Sequence, residues 1–70
     1  MILLIRTDGR AERASRWFRR LRPGESVALH VDGPRGPVRT FRRFEYGARA
    51  VLVESGATQA AVMRALEVSR

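Results

Sequence analysis

The 70-residue chain contains no cysteine and no lysine, a single histidine, and no apolar stretch long enough to cross a bilayer. The missing cysteines exclude disulfide staples, thiolate metal sites and cysteine nucleophiles together. His30 stands with no second metal ligand and no acid partner near it in the sequence, which reads as a bland strand histidine rather than a catalytic one. The apolar opening Met1-Ile2-Leu3-Leu4-Ile5 is too short for a signal-peptide core and far below the roughly 20 residues of a membrane span, which points to the cytoplasm. No side chain stands out as an acid, base or nucleophile.

What the chain has in quantity is arginine. All 14 cationic residues are arginine, against 7 acids, giving a net charge of +7. A guanidinium is a rigid, planar fork that matches phosphate oxygens, so this balance favours phosphate-bearing partners: nucleic acid, nucleotides or cofactors. Arginine without lysine, among many Ala, Gly and Val, is equally what GC-rich coding writes onto neutral surface positions. A hydrophobic fraction of 44% is ordinary for a folded chain, and this length allows one small domain whose core supplies only a few kcal/mol. A second copy or another partner would help to complete it.

The periodicity predicts a mixed α/β class in the order strand, helix, strand, loop, strand, helix. Residues 1–6 read as a buried strand closed by Thr7-Asp8-Gly9. From Ala11 the apolar positions Ala14, Trp17, Phe18 and Leu21 fall at helical spacing, with Arg13, Arg16, Arg19 and Arg20 on the wet side. Pro23-Gly24 stops that helix. Val27, Leu29 and Val31 alternate with Ala28 and His30 as a half-buried strand, and residues 32–37 form a turn too rich in Gly and Pro for a central strand. Val38 to Tyr46 is expected to be a short edge strand plus loop. Ala50 to Val53 is a continuous apolar run suited to a strand covered on both faces. Glu54-Ser55-Gly56 breaks it, and Thr58 to Val68 places Ala61, Val62, Ala65 and Leu66 on one helical face.

Three places could carry chemistry. At Ala14-Ser15-Arg16-Trp17 a helix start would offer unpaired N–H groups to an anion, with the Ser15 hydroxyl and the Arg13 and Arg16 charges beside them; a plain solvated helix is the alternative. Trp17 would pack in the core or serve as a stacking platform. Gly33-Pro34-Arg35-Gly36 is a tight turn ahead of the strand-turn-helix that ends in Ser55, Gly56 and Thr58, the arrangement in which nucleotide folds seat a phosphate, although Gly56 stands alone rather than in a Gly-x-Gly-x-x-Gly run.

Taken in order, Ala14-Ser15-Arg16-Trp17, Arg22-Pro23-Gly24-Glu25, Gly33-Pro34-Arg35-Gly36 and Val51 through Glu67 resemble the middle of a ferredoxin-reductase-type flavoprotein of the siderophore-interacting, ferric-siderophore reductase branch. In that family Gly-Pro-Ala-Ser-Arg-Trp opens a helix, Pro-Gly-Asp follows, and a strand ending Gly-Asp-Glu-Thr-Ala precedes a second helix. The resemblance implies that residues 1–46 correspond to the end of an FAD-binding barrel and 47–70 to the first strand and helix of an NAD(P)H-binding domain, the two forming physically one small unit. It implies FAD pyrophosphate against Ala14, Ser15, Arg16 and Trp17, an inter-domain exit at Gly33, Pro34 and Gly36, and nicotinamide nucleotide near Ser55, Gly56 and Thr58. The family's Arg-x-Tyr-Thr flavin segment would precede Met1 and most of its nucleotide domain would follow Arg70. Such a chain is expected to bind flavin, and to reduce a ferric siderophore only as part of a fuller enzyme.

A competing expectation comes from residues 56–70, which resemble the first helix and turn of a helix-turn-helix. That would make the chain a small basic DNA-binding protein.

Overall fold

The computed structural model describes residues 2–68, which form strands β1 (Leu3–Ile5), β2 (Ala11–Arg13), β3 (Ser26–His30), β4 (Val38–Tyr46) and β5 (Arg49–Glu54), helix α1 (Gln59–Val68), and a 3₁₀ turn over Arg16–Arg20. The strands make one mixed sheet in the order β2-β1-β5-β4-β3. β1 and β5 run in parallel, with Leu3, Leu4 and Ile5 opposite Val51, Leu52 and Val53, and every other pairing is antiparallel. The chain is thus a small mixed α/β domain with a single α-helix among the described residues.

The two apolar runs occupy the positions that have neighbours on both faces. On one face Leu3, Ile5, Val51 and Val53 meet Val62 and Ala65 of α1. On the other, Ile2, Leu4, Leu52, Phe41 and Val31 are roofed by Phe18 and Leu21 from the 3₁₀ turn and by Val27 and Leu29 of β3. Ile5, Phe41, Val51 and Leu52 have no exposed surface, and burying a side chain of that size contributes about 1.5–3 kcal/mol.

Two expectations about elements are corrected. Ala11–Arg13 is not the first turn of a helix but an edge strand antiparallel to β1, and the helix expected over 11–21 reduces to the five-residue 3₁₀ turn. The unpaired edge of β1 recruits the segment as soon as the turn at residues 7–10 brings it back, so sheet hydrogen bonds override the helical pattern. The change of period also moves Trp17. At 3.6 residues per turn positions 17, 18 and 21 share a face, but at three per turn 18 and 21 eclipse each other while 17 turns away from them. Phe18 and Leu21 therefore pack on the core while Trp17, expected to point inward, is 52% exposed and meets Phe18 edge-on at 5.0 Å. The second correction concerns Val38–Tyr46, which is a nine-residue strand between β3 and β5, not a short edge strand plus loop. Its exposed appearance in sequence arises because α1 lies over β2, β1 and β5 and leaves that side of β4 bare.

The strand read over Val27–Val31 forms over Ser26–His30, and the doubly covered run at Ala50–Val53 and the terminal helix form within Arg49–Glu54 and over Gln59–Val68. Thr58 caps α1, its hydroxyl accepting from the Ala61 N–H at 3.1 Å.

Candidate functional site

Arg22-Pro23-Gly24-Glu25 is a tight turn that sets where the 3₁₀ segment stops. Pro23 takes its second place, Gly24 sits at φ 88°, Glu25 donates back to the Arg22 carbonyl at 3.0 Å, and the Glu25 carboxylate accepts from the Arg22 N–H at 2.6 Å. The Gly24 N–H then donates to the Arg43 carbonyl, tying the turn to β4. Arg43 returns the tie with its side chain, donating to the carbonyls of Arg19, at 3.0 Å, and Leu21, and to Glu45. The 3₁₀ segment is held at both ends, since at its start the Ser15 hydroxyl accepts from the Trp17 N–H at 3.3 Å.

That anchoring shapes a cleft of about 250 Å³ lined by Ile2, Arg13, Ala14, Ser15, Arg16 and Arg19. Three arginines and one serine contribute to its lining, and no acidic residue does. Arg13, paired with Leu3, directs its side chain to the α1 face, so the guanidinium groups on the side of the 3₁₀ turn are those of Arg16 and Arg19. Among the described residues no acid lies within ion-pair distance of Arg16 or Arg19, in contrast to Arg6, Arg10, Arg39 and Arg43. The cleft is therefore a concentration of positive charge with donors on its wall, suited to an oxyanion. A five-residue 3₁₀ turn has little dipole, so the attraction comes from the side chains and not from a helix start as the sequence implied. Ser15 spends its oxygen on the cap and keeps its hydroxyl proton for a ligand.

The other residues singled out from sequence lie elsewhere. Ala14 donates to Ile2 at the start of β1, whereas Ser55, Gly56 and Thr58 follow the end of the parallel β5. The length of β5, roughly 15–20 Å, separates the groups. Gly33, Pro34 and Gly36 close the β3–β4 hairpin at that far end, with the Gly36 N–H on the Gly33 carbonyl at 3.0 Å. A Cβ on Gly36 would stand 1.6 Å from the Val31 carbonyl oxygen, so only glycine fits. The His30 Nδ1 lies 2.8 Å from the Gly36 carbonyl; a carbonyl only accepts, so this nitrogen carries the proton.

The same end holds an ionic cluster that sequence reading missed. Arg6, nearly buried, reaches Asp32 at 3.1 Å, Glu54 at 3.6 Å and Glu12 at 3.7 Å, while buried Glu54 also accepts from the Thr7 N–H at 2.9 Å and faces Arg39 at 3.5 Å. The hydrogen bond from Arg6, then its charge, holds the Asp32 carboxyl below the ordinary 3.8, and Asp32 in turn raises the Arg6 guanidinium. The signal available in sequence was an arginine closing an apolar strand. The charges of these partners offset one another, although the buried Arg6 Nε makes no hydrogen bond and only faces Glu54 at 3.6 Å. Among the described residues no group of His, Asp and Glu is arranged to hold a metal.

No protein-family model, curated protein or solved structure matches this chain. The flavoprotein resemblance accordingly rests on the residues themselves. As for residues 56–70, α1 lays Val62 and Ala65 on the sheet, and Ser69 and Arg70 lie outside the described residues. No helix among the described residues is long and apolar enough to cross a membrane.

Proposed function

We propose that this chain is a phosphate-binding module whose ligand is a flavin dinucleotide, FAD, held at the cleft beside Ser15. The observation that carries the reading is that Ser15, Arg16 and Arg19 line one cleft to which no acidic residue contributes. At about 250 Å³ the cleft falls below the ~300–1,000 Å³ of sites that enclose a drug-sized ligand, so it takes the diphosphate and leaves the ring systems outside. Trp17, half exposed next to the cleft, offers an indole face on which one of those rings stacks.

Bound flavin would supply redox reactivity; this chain's residues bind and orient. Arg16 and Arg19 neutralise the diphosphate, and Ser15 donates to one of its oxygens. In the fuller reading, supported by the order of the segments, the chain is a piece of a cytoplasmic, NAD(P)H-linked ferric-siderophore reductase, and Ser55, Gly56 and Thr58 would meet the nicotinamide nucleotide in that larger enzyme. Titrating FAD while following flavin fluorescence and Trp17 quenching tests the binding claim. Ser15→Ala and Arg16→Glu should each weaken binding several-fold; unchanged affinity in both removes the cleft from the account.

A further inference from the structure

The α1 side of β3 and β4 is bare: every residue of the two strands on that side, from Ser26 and His30 to Val38, Phe44 and Tyr46, is exposed. Two clefts lie where this open half of the sheet meets α1. One, of about 290 Å³, holds Arg42 and Phe44 beside the Ser55-Gly56 turn; the other, of about 310 Å³, holds Tyr46 and Arg49 against Met63 and Leu66. Each cleft thus joins one aromatic ring to one guanidinium that has no carboxylate in ion-pair range among the described residues. The rings sit two residues apart on β4 and on the same side of it, centroids 6.4 Å apart and inclined by 55°, and both are exposed.

We propose that this groove binds single-stranded nucleic acid, successive bases stacking on Phe44 and Tyr46 while Arg42 and Arg49 contact the phosphates. An aromatic ring accepts any base, and paired rings with interleaved arginines make a sequence-tolerant platform. Charge selects this occupant over a second copy, because two chains of +7 repel, whereas a polyanion is attracted along the whole surface. Polar Ser26, Thr40 and His30 across the same face would be stranded in a dry protein interface but remain hydrated beside an extended strand. Two carboxylates line the clefts. Glu54 is engaged by Arg6, Arg39 and the Thr7 N–H, and exposed Glu67 on α1 opposes the phosphates.

The test is fluorescence anisotropy of a labelled oligothymidylate of about ten nucleotides with the full chain at low and moderate salt. Tyr46→Ala and Phe44→Ala should each weaken binding roughly five- to hundred-fold, Tyr46→Phe should retain it, and Arg42→Gln should lower the salt slope by about one. Glu67→Gln should tighten binding several-fold, a gain that damage to the fold cannot produce. A duplex of the same length should compete poorly. Equal affinity for Tyr46→Ala, preference for duplex, or no binding at low salt overturns the proposal. So does a dimer on gel filtration that is lost in Tyr46→Ala while the oligonucleotide goes unbound, an outcome that would assign the groove to a second copy.

Discussion

Gly36 and Asp32 sit within five residues of each other and hold one hairpin by different means. The Val31 carbonyl occupies the space that any Cβ on Gly36 would need. Gly36→Ala must open the turn and release the His30 ring, at a cost of about 1–3 kcal/mol, which lowers the melting temperature by roughly 4–8 °C per kcal/mol in a domain of this size. Thermal denaturation of the variant checks this, and an unchanged midpoint would contradict it. Asp32 holds the hairpin through Arg6. Its folded-state carboxyl lies below the ordinary 3.8, as does that of Asp8 through the backbone and side chain of Arg10. A depressed carboxyl stabilises the fold in full above its unfolded value and loses that contribution as the pH falls through its folded value. The melting temperature should therefore be flat, as regards these two groups, from neutrality to about pH 5 and decline below about pH 4, and Asp32→Asn should flatten part of that decline. This ion pair was illegible in sequence because 26 residues separate its members.

Among the elements, the 3₁₀ turn is the one in which sequence and structure part most instructively. Ala14, Trp17, Phe18 and Leu21 satisfy a helical period, but nothing in that period records that β1 has an edge to fill, nor that Arg43, over twenty residues on, grips the carbonyls of Arg19 and Leu21. Local pattern carried the strands whose covering is symmetric, Ala50–Val53 above all, and the helix whose apolar face is complete. It failed for β4, where alternation is lost because the wet side carries Val38, Phe44 and Tyr46 while the side of buried Phe41 carries Arg39, Arg43 and Glu45. The candidate cleft was half legible: Arg13, Ala14, Ser15 and Arg16 were named from the sequence, but the place of Arg19 in its lining depends on the tight turn and could not be. Arg43→Lys should loosen the segment, since one ammonium cannot serve two carbonyls and Glu45 together. A loss of about 1–3 kcal/mol is expected, with a broadened and red-shifted Trp17 emission. Unaltered Trp17 emission would mean that the turn at Arg22–Glu25 suffices.

For the whole molecule, two thin cores back to back on one sheet leave little stability in reserve. Phe41 joins β3, β5 and the 3₁₀ roof, and Phe41→Ala should cost about 3–5 kcal/mol, comparable to the entire net stability of a chain this small. Far-UV circular dichroism should then show a largely unfolded protein at room temperature, and a cooperative melt near the parent's would contradict the account of the core. The excess charge is distributed with more purpose than composition reveals: Arg6 and Arg39 near the β3–β4 hairpin are matched by acids, while among the described residues Arg16, Arg19, Arg42 and Arg49 have none in ion-pair range. Phosphate recognition at the Ser15 cleft is the central claim, and parallel titrations with FAD and with riboflavin, which has the same ring system and no phosphate, test it most directly. FAD should quench Trp17 and bind with an affinity that falls as salt rises, and riboflavin should bind at least tenfold more weakly. Equal affinity for the two, or none for FAD at low salt, would contradict it.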